Sequence, residues 1–167
     1  MSNKKKLIVS DASSLILLAK TSLIGTVIEL FDIRISERVF KETVISGKKR
    51  QREDAHIIEA NINMGHIQVI KTKYDKEVRH IAKSFNLGRG EEESIILYLQ
   101  LKADLLLIDD REGIKTSKIL KLNWATVPNL LPLLIKLNRI NKERALDVLA
   151  KLQVYGRYKL NYILEIE

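Results

Sequence analysis

The feature that most constrains this sequence is a unit that occurs twice: a short apolar run that ends in aspartate and passes at once into a helix. In the first copy Leu7, Ile8, Val9 and Ser10 run into Asp11, and Leu15, Ile16, Leu17 and Leu18 then form an apolar helix capped by Ser13 or Ser14. In the second, Leu105, Leu106, Leu107 and Ile108 run into Asp109 and Asp110. This second run has no polar alternation, so it reads as a strand buried on both faces, and such strands belong to parallel sheets covered by helices on each side.

The remaining segments alternate in the same way. Ser22 caps a helix through Phe31, a strand follows over 33–36, and a helix over 37–45 is stopped by Gly47. A helix over 52–64 ends at Gly65, a strand covers 67–70, and an amphipathic helix over 75–85 closes at Asn86 and Gly88. Gly90 opens a helix through Leu101, and the second strand–acid unit leads into a helix over 111–120, a short strand over 125–127 and helices over 129–137 and 141–154. This order predicts an α/β fold of three layers, a central parallel sheet of four to five strands flanked by helices, with right-handed crossovers. With two prolines, seven glycines and no Ser/Gly-rich linker, the 167 residues read as a single domain. Its motif-bearing core spans about 6–128 and a helical carboxyl-terminal extension about 129–167.

In an open parallel sheet, ligands bind beyond the carboxyl ends of the strands, at the crevice where strand order reverses. Asp11 and the Asp109–Asp110 pair are placed to meet there, although turn and capping chemistry explains either one alone. Glu91, Glu92 and Glu93 follow Gly90 at a helix start, where the macrodipole favours acids. With Ile95, Ile96 and Leu99 as the apolar face, Glu91 and Glu92 lie on or beside it, and Glu93 falls with Gln100 on the polar side. Glu42 sits at the margin of the face made by Val39, Phe40 and Val44. Carboxylates gathered in one crevice repel each other unless a divalent cation neutralises them. The chain has no cysteine, and His56, His66 and His80 lie at no zinc spacing, so an all-oxygen site suited to Mg²⁺ or Mn²⁺ is the expectation.

Basic residues outnumber acidic ones 29 to 21, a formal charge of +8 that favours polyanionic partners. Lys48, Lys49, Arg50 and Arg52 form the densest basic cluster, placed either to hold a nucleic-acid backbone or simply to face solvent. Lys71, Lys73, Arg79, Lys83 and Arg89 add charge before the third acidic motif. The tyrosines and Trp124 are too scattered for a stacking platform, and Tyr155, Tyr158 and Tyr162 read as packing or interface residues. No apolar run approaches the ~20 residues of a membrane span, and the amino-terminal apolar stretch is too short for a signal peptide. Together with the absence of cysteine this predicts a cytoplasmic protein without a membrane partner.

The segments Leu7-Ile-Val-Ser-Asp11-Ala-Ser13-Ser-Leu-Ile, Glu42, Gly88-Arg-Gly-Glu91-Glu-Glu93-Ser-Ile-Ile and Leu105-Leu-Leu-Ile-Asp109-Asp110-Arg resemble the ordered acidic motifs of PIN-domain nucleases. The resemblance covers about the first 130 residues and is nearest to the small prokaryotic proteins grouped with VapC-type toxins, many of them without an assigned function. It implies a PIN-like fold and a carboxylate pocket that uses Mg²⁺ or Mn²⁺ to cleave single-stranded RNA, leaving a 5′-phosphate and a 3′-hydroxyl. Asp11 matches the first acid, with Ser13 at the hydroxyl position beside it, and Glu42 matches the second. The third falls on Glu91, with Glu93 the other acid of the pattern, and the fourth on Asp110, with Asp109 adjacent. Asp11, Glu91 and Asp110 are then the expected metal ligands, and Ser13, Lys48, Lys49 and Arg50 the expected substrate contacts.

Two departures stand out. Ile108 occupies a position where many of the toxins carry threonine, and the helical segment after about Asn129 is longer than in compact toxins. The resemblance also implies a homodimer and a small antitoxin protein as partner. The crowding of Leu130, Leu131, Leu133, Leu134 and Leu137 fits such a face, and equally fits internal packing. A housekeeping RNA-processing nuclease, or an inactive RNA- or protein-binding module, are the alternative functions.

Overall fold

The structure is a computed structural model, and it describes residues 4–156. In chain order it contains β1 (Lys6–Ser10), α1 (Ala12–Lys20), α2 (Ile24–Leu30), β2 (Phe31–Ser36), α3 (Glu37–Phe40), a π-turn (Lys41–Ile45), α4 (Ser46–Lys49), α5 (Glu53–Asn63), β3 (Ile67–Ile70) and α6 (Lys76–Ser84). There follow α7 (Arg89–Leu101), β4 (Leu105–Leu107), α8 (Arg111–Ile119), β5 (Trp124–Ala125), α9 (Val127–Lys136) and α10 (Lys142–Tyr155). Among the described residues no single helix is long and apolar enough to cross a membrane.

The strands form one parallel sheet in the order β3-β2-β1-β4-β5. The chain leaves β1 toward β2 and β3 on one side and returns beside β1 as β4, so strand order reverses between β1 and β4. Their carboxyl ends carry Asp11 and Asp109–Asp110. The pleat divides the core: Ile8 and Leu107 face the side packed by α1, α2, α5, α9 and α10, whereas Val9, Leu106 and Ile108 face α7 and its neighbours. The α/β three-layer architecture read from the sequence is the observed one, with five strands.

Four local readings are corrected. The cap of α1 is Asp11, whose Oδ1 accepts from the Ser14 N–H at 2.8 Å, and neither Ser13 nor Ser14 is the capping residue. Ser22 does not cap α2; it ends α1 in the left-handed conformation with φ of 57°, and Leu23 N–H bonds back to Leu18 C=O at 2.9 Å. Gly47 does not stop a helix. It lies inside α4, where a Cβ would come within 2.7 Å of Ala55 Cβ, so the glycine serves close packing, and the stop is Gln51 at φ of 55°. The helix expected over 37–45 is regular only as far as Phe40 and then widens into the π-turn that carries Glu42.

On α7 the buried face is Ser94, Ile95, Ile96 and Leu97, because the helix is enclosed by the sheet and by α6 and α8; Leu99 is instead 41% exposed. In the carboxyl-terminal segment Leu130, Leu131 and Leu134 are core, and Leu133 and Leu137 are exposed, so the leucine excess divides between the two readings. Tyr158, Tyr162 and the rest of 157–167 lie outside the described residues.

Candidate active site

Asp11 is fully buried at the end of β1, where the chain must turn into α1. One carboxylate oxygen is used by the cap, and the other, Oδ2, is buried without a hydrogen-bond partner. Loss of hydration, reinforced by the neighbouring charges of Asp109 and Glu91, raises its pKa to about 8 against the hydrogen bonds from Ser14. A buried, unpartnered carboxylate oxygen is costly unless a cation or proton meets it.

Asp109 follows β4, and Ser14 joins it to Asp11: the Ser14 hydroxyl donates to Asp109 Oδ2 at 2.6 Å. The Val127 N–H at the start of α9 donates to the same carboxylate at 3.1 Å. Burial raises the Asp109 pKa to about 7, opposed by these bonds. Asp110 caps α8, its Oδ2 accepting from Gly113 N–H at 2.9 Å. The adjacent acids are thus divided in role, Asp109 bound inward to α1 and α9 and Asp110 to its own helix.

Glu91 stands in the first turn of α7 with its stem near Gly113 of α8. Its carboxylate folds back over Gly88, so a side chain at Gly88 would strike it. Burial, followed by the charges of Asp110 and Glu42, raises its pKa. Glu42 projects from the π-turn to the same helix start: a Cβ on Gly90 would come within 2.6 Å of its Oε2, and Arg38 Nε donates to its Oε1 at 2.7 Å. Gly88 and Gly90 therefore make room for two carboxylates, in addition to shaping the helix entry. Glu93 faces away from the Glu91 carboxylate, and its Oε2 accepts from the Arg38 N–H at 3.3 Å.

The structure thus links the five acids at the switch point in a chain of neighbouring charges, Asp11 with Asp109 and Glu91, and Glu91 in turn with Asp110 and Glu42. Among the described residues no three acids or histidines form a ready metal clasp; most of these carboxylates are tied to backbone N–H groups or to Arg38. The donor chemistry nonetheless suits a hard dication: every candidate ligand is a carboxylate oxygen, and Asp11 Oδ2 has no other partner.

Ser13, half-buried in α1, makes none of these links; Ser14 does. Of the basic cluster, Lys48 is paired with Glu59 at 2.9 Å, and Lys49 and Arg50 are exposed at the end of α4. Sequence reading missed Ser14 as a bridge, Arg38 as the partner of Glu42, and the Val127 N–H. The first two carried a signal: Ser14 lies three residues past the capping acid, and Arg38 lies one helical turn before Glu42.

A family model described as a PIN domain, DUF3368, matches residues 7–164. Among solved structures the chain is similar to that of PAE2754 from Pyrobaculum aerophilum, with a TM-score of 0.56 and 18% identity over 80% of this chain and 99% of that one. No curated protein matches the chain significantly. The match along nearly the whole length, on a fold whose switch point carries these acids, shows that the chain belongs to the PIN-domain family, a superfamily of nucleases.

Proposed function

We propose that the protein is a metal-dependent endoribonuclease that hydrolyses phosphodiester bonds in single-stranded RNA. The observation that carries this reading is the unpartnered Oδ2 of Asp11, buried among further carboxylates in a basic chain. Asp11, Glu91 and Asp110 would hold Mg²⁺ or Mn²⁺, with Glu42 completing the pocket. When bound, the ion offsets the carboxylate charge and activates water for attack on phosphorus.

The chain's own residues set up the rest. Ser14 holds Asp11 and Asp109 in one orientation, and Arg38 fixes Glu42 beside the start of α7. Asp109, bound on both oxygens by groups of α1 and α9, supports the pocket as its inner wall. The chain's excess of basic over acidic residues, 29 to 21, favours a polyanionic substrate.

We further propose a toxin role, with a small antitoxin protein as partner and a homodimer as the assembly. The support is the open apolar groove between α9 and α10, lined by Leu131, Pro132, Ala145 and Leu149 and by the exposed Ile135 and Leu146. A housekeeping nuclease lacks the growth phenotype. Incubating the protein with single-stranded RNA in Mn²⁺, Mg²⁺ or EDTA tests the activity: fragments bearing 5′-phosphates in metal alone support it. Tight RNA binding without products in any condition supports a binding module instead. Growth arrest on expression, relieved by a neighbouring gene's product, distinguishes toxin from housekeeping enzyme.

A further inference from the structure

On the side of α7 away from Glu91, its amino-terminal half and the loop between β3 and α6 flank an open cleft of about 300 Å³. That volume is at the lower end of the roughly 300–1,000 Å³ range of small-ligand sites. Three cations, Lys73, Arg79 and Arg89, line it, together with Tyr74 and the acids Glu92 and Glu93. Tyr74 is 70% exposed, an unusual position for a large ring, and the Arg79 guanidinium lies 5.6 Å from its centroid. The ring is thus flanked by a cation and otherwise largely exposed to solvent.

The cleft adjoins the acid pocket through a short chain of contacts. Glu93 at its wall accepts from the Arg38 N–H, and the Arg38 side chain donates to Glu42, whose carboxylate lies against Gly90. Arg89 and Glu91 share the first turn of α7 and lie on opposite sides of it, so the cleft and the acid pocket flank the same helix start. The loop is also anchored, because Lys73 N–H donates to Gln100 Oε1 at 2.8 Å and Gln100 Nε2 donates to Lys71 C=O at 3.3 Å. Tyr74 is therefore presented from a braced segment.

We propose that this cleft seats one nucleotide of the single-stranded RNA, on the opposite flank of the α7 start from the acid pocket, so that the strand crosses the start of α7 between the two. The base stacks on the exposed ring of Tyr74, and Lys73 and Arg89 hold its phosphate. Glu92 and Glu93 accept from the ribose 2′-hydroxyl or a base amine, which favours RNA over DNA. This deepens the nuclease reading and rests on it. A single ring beside three cations does the work that no aromatic platform along the chain supplies.

The test is fluorescence anisotropy of a labelled single-stranded oligoribonucleotide in EDTA, with cleavage kinetics measured separately in Mn²⁺. Tyr74→Ala weakens binding by about ten-fold and raises KM to match, Tyr74→Phe changes both by less than about two-fold, and kcat is little changed in either. Arg89→Ala weakens binding and reduces its salt dependence. The oligodeoxyribonucleotide of the same sequence binds more weakly than the RNA. Wild-type affinity and KM in Tyr74→Ala, with Lys49→Ala weakened instead, overturn the subsite while leaving the nuclease reading intact. A wild-type protein that neither binds nor cleaves RNA overturns both. Because Tyr74 is exposed in a loop, its substitution leaves the fold unaffected.

Discussion

Ser14 bridges Asp11 and Asp109, giving its backbone N–H to one carboxylate at 2.8 Å and its hydroxyl to the other at 2.6 Å. The two acids are ninety-eight residues apart in the chain (109 minus 11), and one serine of α1 ties the ends of β1 and β4 together. Ser14→Ala keeps the cap N–H and removes only the hydroxyl. It leaves Asp109 Oδ2 one donor short in a buried setting, a loss of about 1–3 kcal/mol. Urea denaturation shows this drop for Ser14→Ala and no comparable drop for Ser13→Ala, and RNA cleavage falls in the first variant alone.

Stability of the metal-free protein depends on pH through the same pair. Asp11 is held at about 8 and Asp109 at about 7, both above the ordinary value of 3.8. The folded state thus retains protons that the unfolded chain has already released above about pH 4, so the contribution of this pair to stability is full below that pH and is lost as pH rises toward 8. Urea midpoints measured from pH 4.5 to pH 8.5 decline across that window. Asp11→Asn flattens the decline, and Mn²⁺ raises the wild-type midpoint more at the alkaline end than at the acidic end.

Glycine substitutions separate room for a carboxylate from backbone freedom. A methyl at Gly90 must displace the Glu42 carboxylate, whereas nothing lies within 4 Å of one at Gly25 in α2. Gly25→Ala is therefore neutral or stabilising by about 0.5–1 kcal/mol, as expected inside a helix. Gly90→Ala keeps a folded protein, since a flexible side chain absorbs the clash, but cleavage falls at least several-fold. Thermal melts and cleavage rates on the two variants read this contrast.

The fold was legible because apolar runs and strand-ending acids follow simple periodicities. Leu105 to Ile108 reads as a strand buried on both faces, and the structure places Leu106 and Leu107 in opposite cores. Helix ends were less legible. Ser22, Gln51, Asn86, Lys102, Lys121 and Asn138 all take positive φ, so most stops fall on residues other than glycine, where composition gives little sign. Gly47 shows the converse, a glycine kept for close packing against Ala55. The π-turn under Glu42 was invisible to a regular wheel, because inserting a residue shifts every later side chain around the axis. Of the site, the acids were readable and their hydrogen-bond partners mostly were not. Ser14 and Val127 reach Asp109 across 95 and 18 residues, distances that only the folded sheet closes, whereas Arg38 lies one turn from Glu42 and was readable only by pairing across the π-turn.

The most direct test of the account is cleavage of one single-stranded RNA by wild type and Asp11→Asn, side by side, with Mn²⁺ titrated calorimetrically into each. The account predicts metal-dependent 5′-phosphate products from wild type, none in EDTA, and a folded Asp11→Asn protein that loses both Mn²⁺ binding and cleavage. Cleavage that survives EDTA, or that persists in Asp11→Asn at the wild-type rate, would contradict it.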